Sequence, residues 1–240
     1  MKYLFFDIEC ANCFDNKGKI CEFGYLITDE QFNIIERKEI LVNPNHKFDW
    51  YVVKKMLNHK REEYLQAGIY PEYYDEISKL FSDSETLIFG HTIDTDAKYL
   101  NDESKRYQLP YINFEFYDIK EIYKLYKPDS SGPSLERMSE ILGLGTPDKL
   151  HSALSDAKST MDVLKKLCED MNITVAEIIE RAENPKGNTS YGVVSTSYSR
   201  NNKSQNRSKK KEREVDNRKY KEPMKITIGD IFKDKLSNLT

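Results

Sequence analysis

The sequence predicts an α/β fold in which a five-stranded sheet is flanked by helices. Short apolar runs typical of strands recur along the first 120 residues. From residue 49 onward these runs alternate with segments whose apolar residues recur at helical spacing. The last helical segment ends near residue 182, and the residues that follow are mostly polar and basic. We therefore expect one globular domain over residues 1–182, followed by an extension of different character.

The first three predicted strands form an antiparallel meander. The apolar run at residues 3–6 begins the first strand, residues 20–28 form the second, and residues 32–42 form the third. Turn residues at 29–31 and the pair Asn43-Pro44 end the second and third strands. Such spacing is typical of consecutive strands that pair with each other.

Helices and two further strands are expected between residues 49 and 182. Residues 49–81 have a helical pattern that Gly68 and Pro71 interrupt, and Pro71 suits the first turn of a helix. Asp118 is predicted to cap a helix, because its carboxylate can accept hydrogen bonds from free amide groups. The remaining strands are predicted at 86–89 and 113–117, and the remaining helices at 96–105, 118–126, 134–142, 152–171 and 174–182.

Composition limits the classes of protein to which the chain can belong. It has 240 residues, of which 38% are hydrophobic and 32% are charged. No apolar run approaches the ~18–20 residues that a membrane span requires. The N-terminus also lacks the basic and apolar regions of a signal peptide. The four scattered cysteines fit a reducing compartment, so we expect a cytoplasmic protein with no membrane partner.

The C-terminal extension is expected to have two parts. Residues 183–223 are rich in Ser, Asn, Lys and Arg and poor in aliphatic residues, which predicts a disordered basic linker. Such a linker can hold a phosphate backbone, or it can be a solvated tether with no further role. Residues 224–240 regain apolar side chains and form a short segment that could pack on the domain or dock on a protein partner.

Two carboxylates, Asp7 and Glu9, end the apolar run of the first strand. Residues two apart on a strand point to the same face, so the two side chains should be close together. Like charges at that distance repel each other, and no Lys or Arg lies between Lys2 and Lys17. The pair is therefore a candidate for binding a divalent cation. The alternative is a strand that simply ends in polar residues at the surface.

Further candidate residues follow in a fixed order. Asp96 lies five residues after His91, which follows the fourth strand, and Asp156 lies five residues after His151 at the start of the long helix. Each has an ordinary structural interpretation. His91 can be a turn residue, Asp94 and Asp96 can be helix caps, His151 can be a surface histidine, and Asp156 can be a first-turn acid favoured by the helix dipole. Their joint occurrence in this order favours a shared site.

The cysteines near the N-terminus suggest an alternative site. Cys10 and Cys13 form a Cys-x-x-Cys pair, and Cys21 follows them. No closing pair of Cys or His residues lies at the spacing of a zinc finger. This pattern favours buried or half-buried thiols over a zinc site.

The ordered motifs resemble those of the DEDDh 3′–5′ exonucleases. This family includes the epsilon subunit of bacterial DNA polymerase III, ribonuclease T and oligoribonuclease. The matching motifs are Asp-x-Glu on the first strand, His-x-x-x-x-Asp after the fourth, and His-x-Ala-x-x-Asp-Ala at the late helix. The resemblance spans residues 2–168. The chain departs from the family pattern at Cys10, where Thr is usual, and at Thr92, where Asn is common.

The resemblance implies both a fold and an activity. The fold would be ribonuclease H-like, with a mixed sheet flanked by helices. The activity would be metal-dependent hydrolysis of phosphodiester bonds from the 3′ end of DNA or RNA, with release of nucleoside monophosphates. Its partner would be a single-stranded or 3′-ended nucleic acid. The sequence does not choose between DNA and RNA, because that choice depends on contacts to the 2′-hydroxyl group.

The resemblance also implies roles for five catalytic residues. Asp7, Glu9, Asp96 and Asp156 would hold two Mg²⁺ or Mn²⁺ ions, and His151 would be the general base. Asp94 is an alternative ligand to Asp96. A nuclease-fold binding or scaffold protein with little activity is the alternative function, and the presence of all five residues favours the enzyme. A helix-rich module that binds partners through its tail would leave the acidic pattern unexplained.

Overall fold

The computed structural model of the protein describes residues 1–145, 152–183 and 185–197. His151 lies outside the described residues, as do the basic linker beyond residue 197 and the apolar segment 224–240. The predictions made for these parts of the chain therefore stay predictions.

A mixed sheet of seven strands forms the centre of the domain, in the order β3-β2-β1-β4-β5-β6-β7. β1 pairs in parallel with β4, and β4 pairs in parallel with β5, whereas the other pairs are antiparallel. β1 is thus a central strand, as its apolar run predicts. The strands are β1 (Lys2–Cys10), β2 (Ile20–Thr28), β3 (Ile34–Leu41), β4 (Thr86–Gly90), β5 (Glu115–Asp118), β6 (Lys186–Ser190) and β7 (Val193–Thr196).

Eight α-helices surround this sheet in the described part of the chain. They are α1 (Trp50–Lys55), α2 (Arg61–Gln66), α3 (Tyr70–Leu80), α4 (Ile93–Arg106), α5 (Ile119–Tyr126), α6 (Leu135–Ile141), α7 (Ala153–Met171) and α8 (Val175–Arg181). Gly68 and Pro71 lie at the boundary between α2 and α3, as predicted. None of the helices in the described residues is long and apolar enough to cross a bilayer.

Each face of the sheet has its own hydrophobic core. Successive residues of β1 point to opposite faces, so that Leu4 and Phe6 join one core while Phe5 joins the other. The first core also contains apolar residues of α3 and α4, and the second contains those of α5, α7 and α8. Asp7 and Glu9 lie two and four residues after Phe5 on the same strand. Their side chains therefore point to the same face of the sheet as Phe5, which is the face that α7 covers.

The sequence-based prediction of the sheet was incomplete at its C-terminal end. Residues 186–196, which we assigned to a disordered linker beyond residue 182, form the β6–β7 hairpin and add two strands to the predicted five. Thr189 is buried at the edge of β5, where its Oγ1 donates to the Ile112 carbonyl at 2.6 Å and accepts from the Phe114 amide at 3.1 Å. Because β6 is attached by hydrogen bonds rather than by apolar side chains, it has no apolar signal in the sequence.

Candidate active site

The backbone of β2 allows α7 to lie directly on the sheet beside Asp7. Gly24 is paired with Asp7 across the β1–β2 ladder. A Cβ atom on Gly24 would overlap the backbone of Ala153 and Leu154 in the first turn of α7. Glycine at this position therefore permits the close approach of strand and helix. The same first turn carries Asp156, which reaches the face of the sheet where Asp7 and Glu9 point.

These three carboxylates converge. Asp7, Glu9 and Asp156 each offer one oxygen atom, and the three oxygens lie within 4.8 Å of one another. All three residues are partly buried. In the described part of the chain, this is the one group of three or more such ligand atoms at that spacing. Residues far apart in the sequence thus form one compact acidic cluster, which we call the carboxylate cluster.

The electrostatics of the carboxylate cluster disfavour its ionised form without a cation. Burial, together with Asp7, Asp156 and Glu22, raises the pKa of Glu9 to about 9. The pKa of Asp7 is also raised, first by burial and then by Asp156 and Glu22. Desolvation and repulsion between like charges both favour the protonated acid. A positive charge in the cluster would therefore be strongly stabilised.

Asp96 lies beside the carboxylate cluster on a different element. It is buried in the first turn of α4. Its pKa is raised first by burial and then by the charges of Asp7 and Glu9, so it belongs to the same electrostatic site. It is not one of the three residues whose oxygens lie within 4.8 Å of one another.

Asp94 points to a different environment. It lines a shallow depression with Lys98 and with residues of the β6–β7 hairpin, among them Val193 and Thr196. Its pKa is raised mainly by burial, and the acid that adds to the rise is Glu121 rather than a member of the carboxylate cluster. The structure therefore favours Asp96 over Asp94 as the acid that serves the carboxylate cluster.

The start of α4 is held in an unusual conformation. Thr92, which precedes α4, has a φ of 57° in the left-handed region, where β-branched residues are rare. The Thr92 amide donates to Asp118 Oδ1 at 3.1 Å, and the same oxygen accepts from the Lys120 amide at 2.9 Å. Asp118 is thus the predicted cap of α5 and also fixes the turn that places Asp96.

His91 makes a contact that supports a loop, and it is not one of the residues of the carboxylate cluster. Its Nε2 lies 3.1 Å from the Pro133 carbonyl, to which it can donate. Burial lowers the pKa of His91, which favours the neutral ring. This contact agrees with the interpretation of His91 as a satisfied polar residue at a turn.

Glu22 is a functional candidate that the sequence reasoning missed. It is fully buried on β2, opposite Glu9 in the ladder. The Tyr64 hydroxyl donates to one of its oxygens, and the Ala153 amide donates to the other at 3.1 Å. Glu22 therefore binds the first turn of α7 to the sheet. A charged residue within the apolar pattern of β2 was the available signal.

A second carboxylate holds the residue just before α7. The Ser152 hydroxyl donates to Glu39 Oε1 at 2.6 Å, and His59 Nε2 lies 3.0 Å from Glu39 Oε2. Ser152 is the N-cap residue of α7. Two acids on β2 and β3 thus hold the helix start that carries Asp156.

The four cysteines all lie in the described part of the chain. All four are free thiols, with Cys10, Cys21 and Cys168 buried and Cys13 exposed. The Cys21 thiol donates to the Glu9 carbonyl at 3.4 Å. Among the described residues, no cysteine belongs to the group of metal-ligating atoms, and Cys13 is exposed rather than buried or half-buried as predicted.

Comparison with known proteins identifies the family. The family model RNase_T, described as exonuclease, matches residues 4–164, which is more than half of the chain. The chain belongs to this exonuclease family. The match covers the strands and helices that carry Asp7, Glu9, Asp96 and Asp156. It confirms the resemblance to DEDDh exonucleases that the ordered motifs indicated. No curated protein matches the chain.

Solved exonuclease structures share the fold at low identity. A full-length 3′-exonuclease matches with a TM-score of 0.66 and 17% identity over 81% of this chain and 66% of that chain. The nuclease domain of 3′hExo, a DEDDh family member bound to rAMP, matches with a TM-score of 0.63 and 17% identity over 70% of this chain and 92% of that chain. E. coli Exonuclease I with a dA16 oligonucleotide matches with a TM-score of 0.58 and 16% identity over 75% of this chain and 42% of that chain. The chain thus spans less than two thirds of the first and third. These likenesses support the predicted ribonuclease H-like fold.

Proposed function

We propose that the chain is a metal-dependent 3′–5′ exonuclease that hydrolyses phosphodiester bonds from the 3′ end of DNA or RNA and releases nucleoside monophosphates. The observation that carries this proposal is the convergence of Asp7, Glu9 and Asp156 in a chain of the exonuclease family. The direction of digestion, the products and the metal requirement are part of the proposal.

The carboxylate cluster fits divalent cations. Carboxylate oxygens are hard ligands of the kind that Mg²⁺ and Mn²⁺ prefer. The raised pKa values of Asp7, Glu9 and Asp96 come from burial and mutual repulsion, which bound cations would offset. We propose that these three acids and Asp156 hold two ions. When bound, two such ions would supply Lewis-acid activation of a water molecule and stabilisation of the charge on the reacting phosphodiester oxygens.

The residues of the chain have separate tasks in this proposal. Asp7 and Glu9 present their oxygens from a rigid central strand, and Asp156 and Asp96 complete the site from two helices. Glu22 and Glu39 hold the start of α7, so the position of Asp156 relative to β1 is fixed before substrate binds. His151 is proposed as the general base on the strength of its sequence position, since a neutral imidazole accepts a proton near neutral pH.

The proposed substrate is a single-stranded or 3′-ended nucleic acid. Exonuclease I was solved with a DNA oligonucleotide, and the 3′hExo nuclease domain was solved with a ribonucleotide. These structures support nucleic acid as the substrate class for this chain. They support DNA and RNA alike.

The direction of digestion tests this proposal. Single-stranded DNA and RNA of one sequence are labelled at the 5′ or the 3′ end and incubated with Mn²⁺. We expect the 3′ label to appear at once as a mononucleotide, while the 5′-labelled strand shortens stepwise. A 3′-terminal phosphorothioate linkage should slow digestion, and the same linkage at the 5′ end should not. Cleavage of a circular single strand, or release of the 5′ label first, would contradict the proposal. Binding without any hydrolysis would favour the scaffold alternative.

A further inference from the structure

The start of α1 exposes large aromatic side chains that the core does not use. Trp50 is 70% exposed and Tyr51 is 59% exposed at the first two positions of the helix. Phe14, in the loop after β1, is 47% exposed. Aromatic groups of this size stay in water at a cost unless a ligand covers them. These three residues define what we call the aromatic surface.

The backbone that carries the aromatic surface contacts the end of the strand that carries Asp7 and Glu9. Ala11 follows Glu9 by two residues, and its carbonyl accepts from the Asp49 amide at 2.8 Å, immediately before α1. The Asn12 side chain donates to the Lys47 carbonyl, which joins the same two loops again. The ring of Phe14 lies 6.3 Å from that of His46. The end of β1 and the start of α1 are therefore held together directly beyond Glu9.

The segment that carries Trp50 and Tyr51 is rich in basic residues. Lys54 lies over the Trp50 ring, with its Nζ 4.8 Å from the ring centroid. The carboxylate of Asp49 caps α1 by accepting hydrogen bonds from the Tyr51 and Val52 amides, so its negative charge is directed at the start of the helix. Residues 46–61 contain five Lys or Arg residues and a single acid, and the basic residues are Lys47, Lys54, Lys55, Lys60 and Arg61.

We propose that the aromatic surface binds unpaired bases of the strand whose 3′ end reaches the carboxylate cluster. The inference rests on the proposed exonuclease function. Bases of any sequence stack on aromatic rings, and neighbouring lysines attract the phosphate backbone. A duplex hides the faces of its bases, so the geometry points to a single strand. The aromatic surface would then give affinity for several nucleotides without fixing their sequence.

Trp50 is the single tryptophan of the chain, so its fluorescence reports on this surface directly. A 15-nucleotide single strand is added to the full-length protein in EDTA, where metal-dependent digestion is stopped. We expect the oligonucleotide to quench the tryptophan emission because a base stacks on the ring. A blunt duplex of the same sequence and concentration should quench less.

Variants separate stacking from catalysis. Trp50→Ala should weaken binding of a labelled single strand by roughly 5- to 150-fold, measured by fluorescence anisotropy. Trp50→Phe keeps an aromatic ring and should restore most of the affinity. Tyr191→Ala is the matched control, because Tyr191 is an 85% exposed aromatic residue at the turn between β6 and β7, outside the aromatic surface, and it should bind like the wild type. Because the affinities are measured in EDTA, where metal-dependent digestion is stopped, the loss in Trp50→Ala reports binding and not hydrolysis.

The outcomes distinguish this inference from the proposed function. Absent quenching, together with equal affinity of Trp50→Ala and wild type, would overturn the aromatic surface even if the protein digests 3′ ends. Quenching by a single strand without any digestion in Mn²⁺ would support the aromatic surface and contradict the exonuclease. A change in emission with protein concentration alone, with no response to oligonucleotide, would show self-association at this surface and overturn the inference.

Discussion

Individual buried carboxylates of the site lower the stability of the folded protein when no metal is bound. The pKa of Glu9 is raised to about 9 from an ordinary value of 4.5. Between these two pH values the unfolded chain loses a proton that the folded chain keeps, so the free energy of unfolding falls as pH rises. A cation bound to the ionised acids reverses this loss.

We therefore predict that Mn²⁺ raises the melting temperature more at about pH 8 than at about pH 5. Glu9→Gln should raise the melting temperature of the metal-free protein at the higher pH and reduce the gain from Mn²⁺. Thermal unfolding with and without EDTA measures both effects. An equal gain from Mn²⁺ at the two pH values would contradict this explanation.

Thr92 offers a second test at the scale of one residue. Its φ of 57° lies in a region that Asn adopts more readily than a β-branched residue. Thr92→Asn should therefore raise the free energy of unfolding by about 1 kcal/mol. Thr95→Asn is the control, since Thr95 is exposed within α4 and should gain nothing. Urea unfolding measures the free energy of unfolding of both variants. A destabilised Thr92→Asn would show that the threonine hydroxyl contributes more to stability than the backbone strain costs.

At the scale of secondary-structure elements, the contact between β2 and α7 brings the residues of the carboxylate cluster together. Removing the Glu22 carboxylate leaves the Tyr64 hydroxyl and the Ala153 amide without this acceptor in the interior. Glu22→Ala should therefore cost about 2–6 kcal/mol of stability, because each of the two unsatisfied buried groups costs ~1–3 kcal/mol. It should also lower the activity of the fraction that stays folded, since Asp156 is in the same turn.

Two variants serve as controls for Glu22. Glu22→Gln keeps an acceptor for the Ala153 amide and should retain most of the stability. Glu76→Ala breaks an exposed ion pair with Lys38 and should cost less than about 1 kcal/mol. If Glu22→Ala unfolds in denaturant at the same midpoint as Glu76→Ala, the contact does not hold α7 in place.

The sequence predicted the elements whose signal is local. β1 to β5 and the main helices follow from apolar periodicity, and Asp118 follows from its cap position. Glu22 did not follow, because its partners Tyr64 and Ala153 lie 42 and 131 residues away along the chain. The convergence of Asp7 and Glu9 was predictable from strand parity, whereas the reach of Asp156 depends on the close approach at Gly24.

At the scale of the whole molecule, the boundary of the domain moves from residue 182 to the end of the β6–β7 hairpin. The side chain of Phe116 packs against Gly187, and Thr189 completes the hydrogen bonding of residues 112–114. Without the hairpin, the edge of β5 and the buried side chain of Phe116 would be open to water. The basic linker beyond residue 197 and its role as a nucleic-acid tether stay predictions, as does a protein partner for residues 224–240.

Two truncations test this boundary. A chain that ends after Ser197 should melt at the temperature of the full-length protein. A chain that ends after Ala182 should melt lower and aggregate, because an exposed strand edge can pair with other chains. Light scattering during a thermal melt records both properties. Equal melting temperatures for the two truncations would return the boundary to residue 182.

The central claim is that the carboxylate cluster binds divalent cations and that these support hydrolysis at a 3′ end. The most direct measurement is the release of a 3′-labelled nucleotide by the wild type, Asp7→Asn and Asp94→Asn in Mn²⁺ and in EDTA. We predict release by the wild type and by Asp94→Asn in Mn²⁺, a loss of at least ~10³-fold in Asp7→Asn, and no release in EDTA. Full activity of Asp7→Asn, or undiminished release in EDTA, would contradict the account.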